Sequence, residues 1–415
     1  MKKRLLLLIL LVAIALLIPR ASLNLSPVQQ AVFPHRWELA VWEAANFFGK
    51  WWHLGQERVL GHYPTRAQRL EQVEQFFKLG EEKRVLLARR FRLAAGDQQA
   101  GGRGLQEVED ALAQVRRGRA GLRPEVEEAM ERELNSVLLQ QGILTEAWGQ
   151  PLSFPPVDFR FDTPPALLIT SPRDRIERLD LTALLRPSMT VADMERLEDR
   201  VLTSQNLSAL VEGTGGISTY PAMVPDAYGL RTTLQIVAHE WLHHYLFFRP
   251  LGRHYSQNNT LLTMNETVAD VAGRELGDLV YERLGGTLPP KESARQRGTE
   301  ESPQGFVFER EMRETRLKVD RLLAQDKVAE AETYMEERRQ LFLTNGVYIR
   351  KLNQAYFAFH GSYGDSPASV SPIGREVEEL RATFPSVGLF VHAVAEVSSY
   401  EEFQALLQQR LAERR

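Results

Sequence analysis

Apolar residues recur every three to four positions over most of the chain, and only a few short runs have the strand-like pattern. Leu70, Val73, Phe76, Phe77, Val85, Leu86 and Phe91 predict a helix over 65–94. A Gly/Gln-rich stretch at 96–104 turns the chain. A second helical pattern runs over 105–144, with a break expected between Gly118 and Pro124 because both residue types disfavour a helix interior. Together these read as a charged helical hairpin whose Glu and Arg runs are solvated faces, and as a candidate surface for a protein partner. From Trp148 the pattern changes. Pro151, Pro155, Pro156, Pro164 and Pro165 exclude helix, and Ala166-Leu167-Leu168-Ile169-Thr170 reads as a buried strand. Helices are predicted over 191–202, around Ile236, Val237, Trp241 and Leu242, and around Leu261, Leu262, Val268, Val271, Leu276, Leu279 and Val280.

After a linker-like stretch at 285–305, segments 306–343, 347–359, 373–383, 389–397 and 400–411 complete a helical lobe, the first as one helix or a hairpin. Ser398 or Ser399 is the N-cap of the last helix, with Glu402 in its first turn. The fold class expected is α+β, predominantly α-helical. The parts are 1–22, 23–147 (an aromatic helix and the hairpin), 148–285 (the core carrying the chemistry) and 286–415.

Lys2-Lys3-Arg4 precedes an uninterrupted apolar run over 5–18. That pattern predicts a signal peptide or membrane anchor over 1–22, hence an exported protein, anchored with its main part outside the cytoplasmic membrane or secreted if the segment is cleaved. Trp37, Val41, Ala44, Phe48 and Trp51 form one apolar stripe, with Phe33, Trp42, Phe47 and Trp52 close by. This is either a helix on the membrane surface or one packed into the main domain.

The 415 residues suffice for two or three domains. The net charge of −3, with both signs interspersed, leaves no footprint for nucleic acid. The absence of cysteine excludes disulfides, a thiolate metal site and a cysteine nucleophile.

The chemistry sits in Ile236-Val237-Ala238-His239-Glu240-Trp241-Leu242-His243-His244-Tyr245. Residues i and i+4 share a helix face, so His239 and His243 can aim ring nitrogens at a single ion, while Glu240 can reach a water beside it. Met264-Asn265-Glu266-Thr267-Val268-Ala269-Asp270 follows on the next helical pattern. Antiparallel packing of the two helices brings Glu266 to the imidazoles. Two His, one Glu and an open fourth position are the ligand set of a catalytic zinc site. Asp270, one turn on, is placed to accept the other N–H of a ligating His. His244 points about 100° away round the helix and reads as a packing residue. His53, His62 and His392 lack metal-like spacing.

His239-Glu240-x-x-His243 followed by Asn265-Glu266-x-x-Ala269-Asp270 resembles the gluzincin metallopeptidases, the thermolysin-like zinc enzymes. More loosely, the chain is similar to bacterial membrane-associated aminopeptidases. The resemblance covers about residues 210–285. It implies a gluzincin-type core, one Zn2+ held by His239, His243 and Glu266, Glu240 as general base, and Asp270 supporting a zinc-binding His. It also implies a substrate strand just before the zinc helix, for which Gly216, Ile217, Ser218, Thr219 and Tyr220 are the candidates. Tyr255 resembles the oxyanion stabiliser; His254 beside it, and Tyr356, His360 and Tyr363 in a later aromatic segment, are rivals. The expected activity is zinc-dependent hydrolysis of peptide bonds in peptides or proteins outside the cytoplasmic membrane. One alternative is an aminopeptidase, with Glu212 binding the substrate α-amine. Another is a non-catalytic envelope scaffold with structural zinc.

Overall fold

The structure, a computed structural model, describes residues 27–46, 64–94, 104–143, 145–147, 150–179, 183–290, 306–364 and 366–414. Helix α1 (Pro27–Val32) and a 3-10 turn (Phe33–His35) precede helical backbone at 39–46. In this aromatic segment Trp42 Nε1 donates to Asp162 at 2.8 Å, which ties it to the main body; Phe47, Phe48, Trp51 and Trp52 lie outside the described residues.

Helices α2 (Arg66–Ala94) and α3 (Leu105–Gln140) form an antiparallel hairpin, with Arg66 on Glu133 (2.9 Å) at one end and Arg90 on Glu109 (3.6 Å) at the other. The break expected between Gly118 and Pro124 does not occur: α3 runs through Pro124. A proline inside a helix costs about 3 kcal/mol. Tertiary contacts on both sides of it offset that cost. Arg119 and Arg123 bind Asp226, and Val126, Met130 and Leu134 are buried in the core.

Strands are short. β1 (Thr145–Ala147) and β2 (Gln150–Leu152) pair with each other. β3 (Phe159–Phe161) runs beside α3, where Glu127 and Glu131, one helical turn apart, accept the Phe161 and Phe159 N–H groups at 2.7 and 2.9 Å. β4 (Ala166–Pro172) is the centre of an antiparallel sheet between β5 (Ala183–Leu185) and β6 (Leu207–Gly213). Helix α4 (Val191–Gln205), closed by a Thr190–Asp193 capping box, packs on β6. β7 (Ala222–Val224) pairs parallel with β3.

The core is built round α5 (Leu230–Phe247). A four-residue helix, α6 (Pro250–Arg253), turns the chain into α7 (Asn259–Arg283), whose N-cap Asn258 accepts the Leu261 N–H at 2.8 Å. α7 returns antiparallel along α5. The two backbones meet because α7 has glycine at 273 and 277, on one face. A Cβ at Gly273 would lie 2.9 Å from His239 Cα, and one at Gly277 2.6 Å from Gln235 Cα. Arg231 clamps the same crossing through Asp278 at 2.7 Å. One apolar core joins α5 and α7 to Phe76 of α2, to Met130 and Leu134 of α3 and to the C-terminal helices. The distal hairpin residues Leu86, Val108, Leu112 and Val115 form a cluster of their own.

Beyond residue 305 come α8 (Phe308–Leu323), α9 (Val328–Thr344), α10 (Gln354–His360), α11 (Ile373–Ala382), α12 (Val387–Ala395) and α13 (Tyr400–Glu413). Segment 306–343 is thus a helical hairpin. The helix expected over 347–359 begins only at Gln354. There Asn353 both caps α10, accepting the Tyr356 N–H, and donates to Ala209 O on β6 at 2.9 Å. Ser399, not Ser398, caps α13. The molecule is predominantly helical with small sheets, as the α+β reading requires.

The expected membrane anchor and membrane localisation are corrected. Among the described residues no helix is long and apolar enough to cross a membrane, and residues 1–22 lie outside them. Neither enters the function proposed below.

Candidate metal centre

His239 and His243, one turn apart on α5, turn their Nε2 atoms toward each other at 3.0 Å. Glu266 on α7 brings Oε2 to 3.7 Å from His239 Nε2 and 3.5 Å from His243 Nε2. An ion with tetrahedral ligands at about 2.0–2.1 Å spaces its donors roughly 3.3 Å apart. The three atoms therefore fit one such ion, and together they form a group able to bind a metal.

The outer ring nitrogens are occupied as a metal site needs. His243 Nδ1 lies 2.9 Å from Asn265 Oδ1, and His239 Nδ1 lies 3.3 Å from Asp270 Oδ1. An N–H given to each oxygen leaves both Nε2 lone pairs facing inward. Arg274 pairs with Asp270 at 3.3 Å, on the carboxylate oxygen that does not face His239. Electrostatics point the same way. Burial favours the neutral form of His243, but Glu266 and Glu240 outweigh it and raise the ring to about 9. Burial also opposes ionisation of Glu266, yet the two imidazoles and Arg178 hold its carboxyl below the usual range. The spot between these side chains calls for positive charge, and a cation meets that demand.

Glu240 is buried and stands outside the donor group. Burial raises its carboxyl above the usual range, with the imidazoles opposing and Glu266 adding to the rise. A proton acceptor with a raised pKa is the form general base catalysis favours. Gly216 sits directly on it: a Cβ there would come within 2.4 Å of Glu240 Oε1, so a larger residue would have to displace the Glu240 carboxylate.

Two cavities flank the donors. One, of about 580 Å³, is lined by Gly213 to Ser218, His239, Glu240, His243, Glu266, His360 and Tyr363. The other, of about 680 Å³, opens onto His243 and Glu266 between Phe154, Tyr220, Phe247, Phe248, Tyr255 and Leu262.

The remaining candidates divide between these surroundings and the core. Residues 216–220 do not form a strand. Ile217 pairs both its N–H and its C=O with Met223, at 3.0 and 2.9 Å, closing a tight loop. Thr219 is buried, its carbonyl accepting from His244 Nε2 at 2.8 Å, so His244 ties this loop to α5. Gly216 and Ser218 line the cavities, and Tyr220 lines the aromatic one. Tyr255 lines the aromatic cavity and is 45% exposed. His254 turns to the Pro250 carbonyl at 2.7 Å. Tyr356 packs in the apolar clusters around α10, with the His360 ring tilted against it at 4.2 Å between ring centroids. Burial pushes the His360 ring down to about 4, so it is neutral at physiological pH. Tyr363 faces the metal donors, and the charge of Glu266, then burial, raises its phenol well above its ordinary value. Glu212 has Arg350, Glu198 and Tyr356 as its electrostatic neighbours and lines neither cavity.

Sequence reasoning missed Arg178. It lines both cavities, with its guanidinium over the Phe359 ring at 5.7 Å. It lies in the loop between β4 and β5, where no periodicity or motif marks it. Asn265 was visible in the motif, but its bond to His243 needs the packing of α7 on α5.

Comparison with known proteins gave no matching family model, no matching curated protein and no matching solved structure.

Proposed function

We propose that the protein is a zinc-dependent hydrolase of peptide bonds, with a gluzincin-like site assembled from α5 and α7. The observation that carries the reading is the 3.0–3.7 Å spacing of His239, His243 and Glu266 donors with Glu240 buried beside them. Two nitrogens and one carboxylate suit zinc, while magnesium and calcium prefer all-oxygen sites. A bound zinc ion supplies Lewis acidity for the scissile carbonyl and acidifies water to a pKa of about 7.

The protein's own groups do the rest. Glu240 takes the proton from the attacking water and passes it to the leaving amine. Tyr363 and Arg178, lining the same cavity, donate to the oxygen that gains charge. This assignment replaces Tyr255, which lines the aromatic cavity and not the one that holds Glu240. An extended substrate runs beside Gly213 to Gly216, because Ile217 spends its backbone groups on Met223. A bulky apolar side chain seats among Phe154, Phe247, Phe248 and Leu262. Cavities on both sides of the donors favour cleavage within a chain over removal of its first residue, as does the absence of Glu212 from their linings. The scaffold alternative needs a fourth protein ligand, and among the described residues the group has three.

Digestion of a mixed peptide library by the zinc-loaded protein, with and without chelator, tests the reading. Cleavage next to large apolar residues, abolished by chelator and restored by zinc, is expected. Tyr363→Phe is expected to lower kcat by about a hundredfold, the usual cost of one oxyanion donor, and Tyr255→Phe to leave it within about threefold. No zinc-dependent cleavage of any peptide contradicts the proposal.

A further inference from the structure

A cavity of about 260 Å³ lies between the helical hairpin and the segments leading to β4 and α5. Lys83 of α2 and Arg116, Arg119 and Arg123 of α3 line it, with Asp162 and Asp226 opposite. It shares no lining residue with either cavity at the metal donors.

Its charges do not balance. Asp226 alone serves three cations: Lys83 at 3.3 Å, Arg119 at 3.0 Å and Arg123 at 3.5 Å. Both Asp162 oxygens are engaged elsewhere, one accepting from Trp42 Nε1 and the other from the Thr163 N–H, each at 2.8 Å. Arg116, exposed at the rim, makes no ion pair among the described residues. Four cations thus face two carboxylates, an excess of two positive charges.

Donors are also in surplus. Arg119 is 3% exposed, and the buried Nε of both Arg119 and Arg123 finds no acceptor among the described residues. Burial depresses the Arg119 guanidinium's hold on its proton; Asp226 opposes this and the like charge of Arg123 adds to it. Unmet guanidinium N–H groups in a partly buried site are costly, and oxyanions are the ligands that satisfy several at once.

We infer that this cavity is an anion site for a small phosphate dianion, free or as the monoester of a small molecule. Two features select that class. The excess of two positive charges equals the charge a phosphate group carries near neutral pH. The volume of about 260 Å³ holds a phosphate and a few further atoms. Because Asp226 lies just before α5 and Arg119 and Arg123 lie on α3, an anion here braces the hairpin against the base of that helix.

Calorimetric titration of the full-length protein with inorganic phosphate, in chloride buffer at fixed ionic strength, tests the site. One saturable equivalent is expected, at least about tenfold weaker in the Lys83→Gln/Arg116→Glu double variant. His239→Ala is expected to leave it unchanged, which separates this site from the metal centre. Acetate at the same ionic strength is expected to bind at least tenfold more weakly. Absence of saturation, equal binding by the double variant, loss in His239→Ala, or parity with acetate would overturn the inference. Arg116→Ala, a change at an exposed rim position, is the second variant should the double one not fold; it is expected to weaken phosphate severalfold, and unchanged affinity counts against the site.

Discussion

Glu240→Gln is expected to hold one equivalent of zinc as firmly as the parent protein while losing about a hundredfold to ten-thousandfold of its peptide hydrolysis. The two effects separate because Glu240 is adjacent to the donor group without belonging to it. Glutamine keeps the shape that packs against Gly216. It removes only the ability to accept a proton. Folding should not suffer, since a carboxyl whose ionisation burial opposes is being replaced by a neutral group. Metal analysis, a melting curve and single-turnover cleavage on one preparation check all three. Turnover near the parent rate would remove Glu240 as the base. Loss of zinc would instead make it part of the binding site.

Gly273→Ala is expected to weaken zinc binding at least tenfold and to lower the melting temperature, although alanine is the better helix former. The opposing terms have comparable size. Replacing glycine inside a helix gains about 1 kcal/mol in propensity. Overpacking a tight contact costs about 1–3 kcal/mol. At Gly273 the added carbon meets His239 Cα and N, both at 2.9 Å, and backbone atoms cannot swing aside as a side chain does. α7 must therefore move off α5, carrying Glu266 away from the imidazoles. Gly121, helical in α3 with nothing within 4 Å of the added carbon, is the control: Gly121→Ala is expected to keep its metal and to gain stability. Titration with zinc and thermal melting of both variants give the comparison. Equal behaviour of the two alanines would show that the helix crossing is not what holds the donors together.

The pair of variants also marks what the amino-acid string discloses and what it hides. His239, Glu240 and His243 are readable because helical periodicity is local: a spacing of four guarantees a shared face. Glu266 is readable through its own motif, given that two amphipathic segments joined by a short connection pack antiparallel. The elements themselves were legible wherever apolar residues repeat strongly, as in α2, α5 and α7. What escapes is whatever depends on a distant partner. The glycines at 273 and 277 carry no meaning until α5 lies across them. Pro124 looks like a helix breaker until Asp226 and the core hold α3 together. Residues 216–220 have strand-like composition, but Ile217 folds back on Met223 instead of extending. Arg178 comes to the metal donors from a loop no pattern marks, Tyr363 was one of several aromatic candidates that only the packing singles out, and Tyr255, at a promising interval from His243, lines the aromatic cavity instead.

The centre of the account is that two helices present three donors to one ion and leave the cavities on either side open. Anomalous diffraction at the zinc edge from crystals of the zinc-loaded protein measures this directly. A single strong peak is expected within about 2.0–2.2 Å of His239 Nε2, His243 Nε2 and a Glu266 oxygen, with no fourth protein atom at bonding distance. A peak elsewhere, or a fourth side chain completing the shell, would contradict it.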